Sequence, residues 1–256
     1  MGACALVIAA FRFQFEELET MILLLMCTLS GSAYCFLMND IYDRKKDLLN
    51  KKRRPIATGE LPLNVAIGFT IVLGLLFLVC TYQFRLIVFL LSIVFIFLTT
   101  IYSFLNIKSG ILANVIVAFI VSGTQWGVAF IEPDPYLIPA SLFLFFFTIP
   151  REMMLDWLDI DGDKEFGKNS VALSASKKGF KLILTFLLFL VTLSAIFIIN
   201  QLAPKPISLS FFLLAALSGW ISFVRFFQRA NRKNALFGIR FSHVTFGLFI
   251  VAMLIR

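Results

Sequence analysis

The 256-residue chain has few charged residues and almost no histidine. Charged side chains make up 15% of it, 60% of its residues are hydrophobic, and its mean hydropathy is +0.92. An average soluble domain carries about 25% charged residues, so an ordinary soluble globular protein is excluded. A disordered chain is excluded too, because disorder needs low hydrophobicity and high charge. His243 is the single histidine, which excludes a metal site built from several histidines.

Cysteine and tryptophan are also scarce. The four cysteines, at positions 4, 27, 35 and 80, form no CxxC motif and lie in apolar stretches. We therefore expect them to be reduced residues of the interior. Against three tryptophans stand 31 phenylalanines, a ratio that indicates lipid contact and an apolar interior.

Long apolar runs dominate the rest of the chain. A transmembrane helix needs about 20 mostly apolar residues. Eight runs satisfy this, at residues 20–38, 62–83, 85–104, 110–131, 136–155, 180–200, 207–226 and 237–255. Residues 1–12 form a ninth run that is too short to cross, and no basic segment precedes it as in a signal peptide. We predict one all-α membrane domain over residues 1–256, with eight full spans and a shortened first helix.

Lysine and arginine are concentrated in alternate connections between these spans. Of the 23 lysines and arginines, 19 lie in or beside these connections, at residues 44–54, 108, 151, 164–181 and 225–240. The positive-inside rule places these connections in the cytoplasm, with the protein in the inner or plasma membrane. The net charge of +8 thus reflects topology. No nucleic-acid partner is expected, because no soluble domain is present to read a groove.

Acidic residues cluster at two places in the chain. Ten of the 15 Asp and Glu residues fall within residues 40–60 and 152–165. Each window holds three aspartates with the spacing i, i+3, i+7, which on a helix puts them on one face. We call them the first row and the second row; their members are Asp40, Asp43 and Asp47, and Asp156, Asp159 and Asp163.

The two rows predict a site for divalent cations. Stacked like charges repel one another, and charge near a membrane core is costly, so such rows need a compensating partner. Mg²⁺ takes oxygen ligands and is held by a few carboxylates together with substrate phosphates. Two facing rows could clamp two or three Mg²⁺ ions around a diphosphate. The alternative is that the rows are solvated turns at the membrane interface. The matched spacing of the two rows favours the metal site over this alternative.

Basic and polar residues near the rows extend this hypothesis. The guanidinium fork of Arg54 suits diphosphate oxygens. Lys108 is the one charge in its loop and is either a phosphate contact or a simple interfacial lysine. Asn114 is either a contact between helices or a residue of the pocket. The remaining lysines of the first window are expected to set orientation and to meet anionic lipid headgroups; they are Lys45, Lys46, Lys51 and Lys52.

At these residues the sequence resembles the UbiA superfamily of intramembrane prenyltransferases. The family's NDxxDxxxD motif corresponds to residues 39–47, and its DxxDxxxD motif to residues 156–163. Between them, Tyr102 and Lys108 match a Tyr…Lys loop motif, and residues 50–59 match the segment N-x-x-x-RPI-x-[ST]-G. The motifs occur in the family's order, at the corresponding spans.

The resemblance implies a fold of nine transmembrane helices around a central cavity, with a lateral opening for lipids. Cytoplasmic cap loops are expected near residues 39–61 and 156–179. Within the superfamily, the pattern from Arg151 to Gly167 is most similar to the geranylgeranylglyceryl phosphate geranylgeranyltransferases. The implied reaction joins a polyprenyl diphosphate, best geranylgeranyl diphosphate, to a lipophilic acceptor, best geranylgeranylglyceryl phosphate.

The same resemblance implies the roles of the site residues. Both rows are expected to hold two or three Mg²⁺ ions. The catalytic residues would be Asp43, Asp159, Tyr102 and Lys108, and the diphosphate-binding residues Asn39, Arg54, Lys108, Arg151 and Lys164. Membrane lipids surround the enzyme, and no obligate protein partner is expected.

Three alternatives to this reaction stay open. One is a prenyltransferase with an aromatic acceptor of quinone-type biosynthesis. Another is a membrane terpene cyclase, which would ionise the same substrate without an acceptor. A transporter is the third, but transporters place ionisable residues near the bilayer midplane, where these spans carry almost none.

Overall fold

The computed structural model describes residues 18–50, 53–105, 110–131, 137–165, 167, 169–201 and 206–254. Within them, every regular element is a helix. The helices are α1 (Leu18–Leu49), α2 (Pro55–Thr58), α3 (Leu63–Tyr82), α4 (Leu86–Leu105), α5 (Gly110–Ile131), α6 (Leu137–Leu158), α7 (Ile160–Glu165), α8 (Val171–Ser174), α9 (Lys177–Gln201), α10 (Pro206–Gln228) and α11 (Arg232–Leu254). The shortened helix predicted for residues 1–12 lies outside the described residues.

Each of the eight predicted spans coincides with one long helix. Seven of these helices are long and apolar enough to cross a membrane, and the eighth, α4, has a shorter apolar part, Leu86–Tyr102. Large apolar side chains cover their outward faces: Val72, Leu75 and Phe186 are each about 60% exposed. An all-α bundle of membrane helices is therefore confirmed, while the number of spans stays a prediction.

Helix α1 is much longer than a bilayer requires. Its 32 residues extend for about 48 Å at 1.5 Å per residue, about 18 Å more than the hydrocarbon core. The first row lies on these extra turns. The segment expected as a cap loop from residue 39 is therefore helical as far as Leu49. Pro55 then begins α2, and Gly59, with φ of +82°, ends it.

The long helices form two kinds of packing. Helices α1, α3, α4 and α5 contact one another in sequence, and α6 joins α5 to α9 and α11. Helices α10 and α11 pack closely through small residues, with the hydroxyls of Ser218 and Thr245 2.8 Å apart. Beside them the Phe143 ring lies against Phe147 and Phe249, with centroids 5.8 and 5.1 Å away. The phenylalanine-rich interior thus belongs to the second half of the chain.

Two short helices lie over the end of the bundle that carries the first row. Helix α7 contacts α1 and α6, and α8 contacts α5 and α6. The chain before α8 lies directly on the start of α5, because a Cβ at Gly110 would be 2.6 Å from the carbonyl oxygen of Asn169. These contacts bring the two acidic windows of the sequence together at one end of the molecule.

Candidate active site

Arg54 binds the first row from one end to the other. Its guanidinium donates to Asp40 Oδ1, and its Nε lies 3.2 Å from Asp47 Oδ2. Asp47 is 1% exposed, so this carboxylate has been taken out of water. Arg54 precedes Pro55, whose position at the start of α2 turns the chain back towards α1. The sequence prediction that Arg54 belongs to the site agrees with this position.

Lys46 connects the two rows. Its Nζ lies 2.9 Å from Asp43 Oδ2 in the first row and 3.8 Å from Asp163 Oδ1 in the second. Lys46 is 7% exposed and Asp163 is fully buried. The expectation that Lys46 meets lipid headgroups therefore fails, because its ammonium is enclosed between carboxylates. The position in the sequence gave no signal for this, since Lys46 stands in a run of basic residues.

The second row does not lie on one continuous helix. Asp156 is in α6, Asp159 forms a bend after that helix ends, and Asp163 is in α7. Backbone hydrogen bonds from Asp159 N to Leu155 O and from Asp163 N to Asp159 O nevertheless maintain a helix-like course. The segment expected as a cap loop from residue 156 is therefore largely helical up to Glu165, and a helical spacing of the three aspartates is preserved across the bend.

A contact between Asn50 and Gly162 accompanies this bend. The Gly162 N–H donates to Asn50 Oδ1 at 3.1 Å. A Cβ at residue 162 would lie 2.6 Å from the Asn50 amide nitrogen, so only glycine allows the approach. Asn50 follows directly after α1, and the contact therefore fastens the end of α1 to α7. Asn50 was noted only as part of a family motif, and sequence reasoning missed this role.

Asn114 supports the second row. Its Nδ2 donates to Asp156 Oδ2 at 3.1 Å, and the two residues are 4% and 7% exposed. The hydrogen bond joins α5 to α6, so Asn114 is a contact between helices, and this contact is made to a residue of the second row. Asn114 lies near the start of α5, one turn from the point where Gly110 touches the chain before α8.

Tyr102 lies between the rows. It interacts electrostatically with the carboxylates of Glu152, Asp43 and Asp156. Glu152 accepts a hydrogen bond from Arg151 Nη1 at 2.6 Å. Glu152 was not predicted as a site residue, because the sequence showed it only as part of the pattern that begins at Arg151.

The other predicted residues are less central. Asn39 is half-buried beside Asp40, and Lys164 is exposed on α7. The contact shown for Arg151 is with its neighbour Glu152. Lys108 lies outside the described residues.

The chemistry of the two rows fits magnesium, because carboxylate oxygens are its preferred protein ligands. In the described part of the chain, however, no three His, Cys, Asp or Glu side chains converge in a way that could hold a metal ion. Lys46 and Arg54 lie against the carboxylates instead. The six aspartates as ligands therefore stay a prediction.

An apolar cavity occupies the half of the bundle remote from the rows. It is a partly open cavity of about 110 Å³ between α1, α3, α4 and α5, and its wall includes Gly31, Phe77, Phe95 and Gly127. Gly31 precedes Asp40 by nine residues on the same helix, which is about 14 Å along its axis. An elongated apolar group attached to a charged head could therefore extend from the rows towards this cavity.

Comparison with known proteins places the chain among membrane enzymes. Residues 1–246 match the UbiA prenyltransferase family. The chain is 31% identical over 188 residues to a digeranylgeranylglyceryl phosphate synthase of Sulfolobus acidocaldarius, which covers 71% of this chain and 68% of that protein. Matches to other curated proteins of the same name cover between 51% and 69% of their lengths.

Solved structures share the fold. One described as digeranylgeranylglyceryl phosphate synthase in membranes has a TM-score of 0.77 at 20% identity, covering 99% of this chain and 90% of that one. A UbiA homologue from Archaeoglobus fulgidus, bound to GPP and Mg²⁺, has a TM-score of 0.64 at 17% identity, with 100% and 97% covered. The family match and these shared folds lead to one conclusion: the chain is an integral membrane protein that belongs to the UbiA prenyltransferase family.

Proposed function

We propose that this protein transfers the geranylgeranyl group of geranylgeranyl diphosphate to geranylgeranylglyceryl phosphate in a magnesium-dependent reaction within the membrane. One observation carries the proposal: the two aspartate rows meet at one end of the bundle, where Lys46 lies between Asp43 and Asp163. The named curated relatives support this acceptor. The neighbour bound to GPP and Mg²⁺ supports a prenyl diphosphate as donor.

The rows and Arg54 would bind the diphosphate end of the donor. Two or three magnesium ions held by the six aspartates would neutralise charge on the diphosphate as it leaves. Arg54 adds a planar fork of donors at the first row, the geometry that matches phosphate oxygens. Asn39, Lys108, Arg151 and Lys164 are proposed as further contacts of the diphosphate.

Helices α1, α3, α4 and α5 would enclose the prenyl tail. With the prenyl tail bound, the apolar wall around Phe77 and Phe95 would keep water away from an allylic cation. Tyr102 lies among the carboxylates at the head of the site. There an aromatic ring face can stabilise positive charge on the allylic carbon as the diphosphate leaves it. A hydroxyl oxygen of the acceptor would then bond to the allylic carbon as the carbon–oxygen bond to the diphosphate breaks, and the hydroxyl proton would pass to the released diphosphate.

The orientation of the site in the membrane is part of the proposal. The basic residues near both rows support a cytoplasmic position in the inner or plasma membrane. A donor would then enter from the bilayer with its diphosphate at the cytoplasmic surface.

A radiolabel assay in nanodiscs tests this function. Purified protein is mixed with Mg²⁺, labelled geranylgeranyl diphosphate, and geranylgeranylglyceryl phosphate, 4-hydroxybenzoate or no acceptor. We expect a labelled ether lipid only with the glyceryl phosphate, loss of product in EDTA, and recovery with added Mg²⁺. Product only with the aromatic acid would move the protein to the quinone branch. A hydrocarbon or terpene alcohol formed without acceptor would identify a cyclase.

A further inference from the structure

Lys46 is a buried cation where the sequence predicted a lysine that meets lipid headgroups. It lies on the last turn of α1 and is 7% exposed, whereas its neighbour Lys45 points into the open and is exposed. Burying an ammonium group is costly unless it is paired. Lys46 must therefore draw its stability from the groups around it.

Those groups are carboxylates from both rows. Asp43, one turn earlier on α1, lies 2.9 Å from Lys46 Nζ, and Asp163 of α7 lies 3.8 Å from it. Asp159, at the bend, also interacts with the same ammonium electrostatically. One positive charge is thus shared by three aspartates that come from two distant windows of the sequence.

This arrangement balances a repulsion that the fold creates. When α7 packs on α1, the buried carboxylate of Asp163 approaches the first row. Like charges at short range repel strongly where water is excluded. A cation between the rows removes that repulsion, and in this structure the cation is the side chain of Lys46.

We propose that Lys46 is a tethered cation that holds the two aspartate rows together before substrate binds, and that divalent cations compete with it for Asp43 and Asp163. The proposal rests on the proposed function, since it takes the rows as the magnesium and diphosphate site. It adds that the rows bind metal weakly until a diphosphate brings further ligands. The ammonium also keeps the rows assembled when metal is scarce.

The test compares Lys46→Met with the matched control Lys45→Met. Mn²⁺ binding to the detergent-solubilised protein is measured by electron paramagnetic resonance without prenyl diphosphate. We expect Lys46→Met to bind Mn²⁺ about tenfold more tightly than wild type, because a competing positive charge has gone. Lys45→Met should match wild type. In EDTA, Lys46→Met should unfold at a lower temperature, and Mn²⁺ should raise that temperature more than it does for wild type.

A purely structural lysine would give a different result. Its loss would lower the unfolding temperature without tightening Mn²⁺ binding, and equal or weaker binding in Lys46→Met overturns the proposal. If Lys46→Met does not fold, Lys46→Gln replaces it, and the same comparison decides. Wild-type protein that binds no Mn²⁺ even with geranylgeranyl diphosphate would instead contradict the proposed function. Normal binding in wild type with no change in the variants contradicts the role of Lys46 alone.

Discussion

At the scale of single residues, two basic side chains offset part of the charge on the six aspartates of the rows. Arg54 contacts both ends of the first row, and Lys46 bridges from that row to the second. Removing one member of a buried ion pair destabilises the protein by more than the pair itself contributes to stability, because the partner is left as a buried, uncompensated charge. Tests of the aspartates should therefore remove charge while keeping shape, and asparagine is the suitable replacement.

Asp159→Asn should reduce turnover of geranylgeranyl diphosphate by about 10² to 10³-fold, the loss typical for one group that stabilises developing charge. Asp161→Asn is its matched control, since Asp161 is exposed, two residues away and outside the row. Diphosphate release at saturating Mg²⁺ measures the effect, and circular dichroism checks the fold. Near wild-type rates in Asp159→Asn would refute its assignment as a metal ligand.

Asn114→Ala should leave the Asp156 carboxylate less firmly oriented. The variant loses the hydrogen bond to Asp156, and loss of such supporting partners costs about 10- to 100-fold in metal affinity or activity. We expect the Mg²⁺ concentration for half-maximal rate to rise within this range. Ser122→Ala is the control, since Ser122 is also buried on α5 but bonds to Phe119 O of its own helix. An unchanged Mg²⁺ dependence in Asn114→Ala would count against the contact.

At the scale of elements, composition decides where the long spans lie, whereas a contact between distant segments accompanies the bend at Asp159. Hydropathy predicted residues 62–83 and 110–131 as spans, and the helices found are Leu63–Tyr82 and Gly110–Ile131. Such runs are predictable because their composition alone decides them. The bend at Asp159 is different, since it accompanies the contact of Gly162 with Asn50, which lies 112 residues earlier. No local pattern contains that information.

Gly162→Ala should destabilise the junction of α1 and α7, because its Cβ would meet the Asn50 amide at 2.6 Å. We expect a loss of about 1–3 kcal/mol in unfolding free energy from overpacking. Asn50→Ala should cost a similar amount, about 1–3 kcal/mol, by leaving a buried N–H without its acceptor.

The double variant Asn50→Ala, Gly162→Ala distinguishes this contact from general fragility. Its loss should be smaller than the sum of the two single losses, because the first change removes the obstacle to the second. Unfolding curves of the four proteins in one detergent give the coupling. Gly68→Ala, where nothing lies within 4 Å of the new Cβ, should cause no loss of stability and can add up to about 1 kcal/mol, because alanine is the better helix former. Strict additivity of the pair would contradict direct contact.

At the scale of the whole molecule, the two halves of the chain differ in how they fill space. Helices α6, α10 and α11 interlock through stacked phenylalanines such as Phe143 and Phe249. Helices α1, α3, α4 and α5 leave an apolar cavity. The composition predicted an apolar interior rich in phenylalanine. It could not predict which half of the chain is closely packed and which contains a cavity, because that depends on which helix faces contact one another.

Gly127→Leu should shift donor preference towards shorter chains. Gly127 lines the cavity and has nothing within 4 Å of its ideal Cβ, so leucine can fill space without a clash. We expect kcat/KM for geranylgeranyl diphosphate to fall by about tenfold or more, while geranyl diphosphate is largely unaffected. Gly247→Leu is the control, since Gly247 on α11 is equally open but does not line the cavity. Equal losses for both donors would place the tail elsewhere.

The candidate site illustrates the same limit for the molecule as a whole. Its aspartates and Arg54 could be found from sequence, because their spacing and residue type suit one chemistry. Lys46 could not, since a lysine in a basic run is identical in sequence whether it faces lipid headgroups or lies between buried carboxylates. The ion pair with Asp43 on α1 and the approach of Asp163 on α7 distinguish the two.

From the length of α1 we expect the thickness of the surrounding membrane to affect the reaction. The helix exceeds an ordinary hydrocarbon core by about 18 Å, and the first row occupies that excess. In a thicker bilayer, hydrophobic mismatch would draw these carboxylates towards the acyl chains or tilt the helix. Lipid chain length would then set how far the reacting head stands above the hydrocarbon, and cells that remodel their lipids would retune the enzyme without altering its sequence.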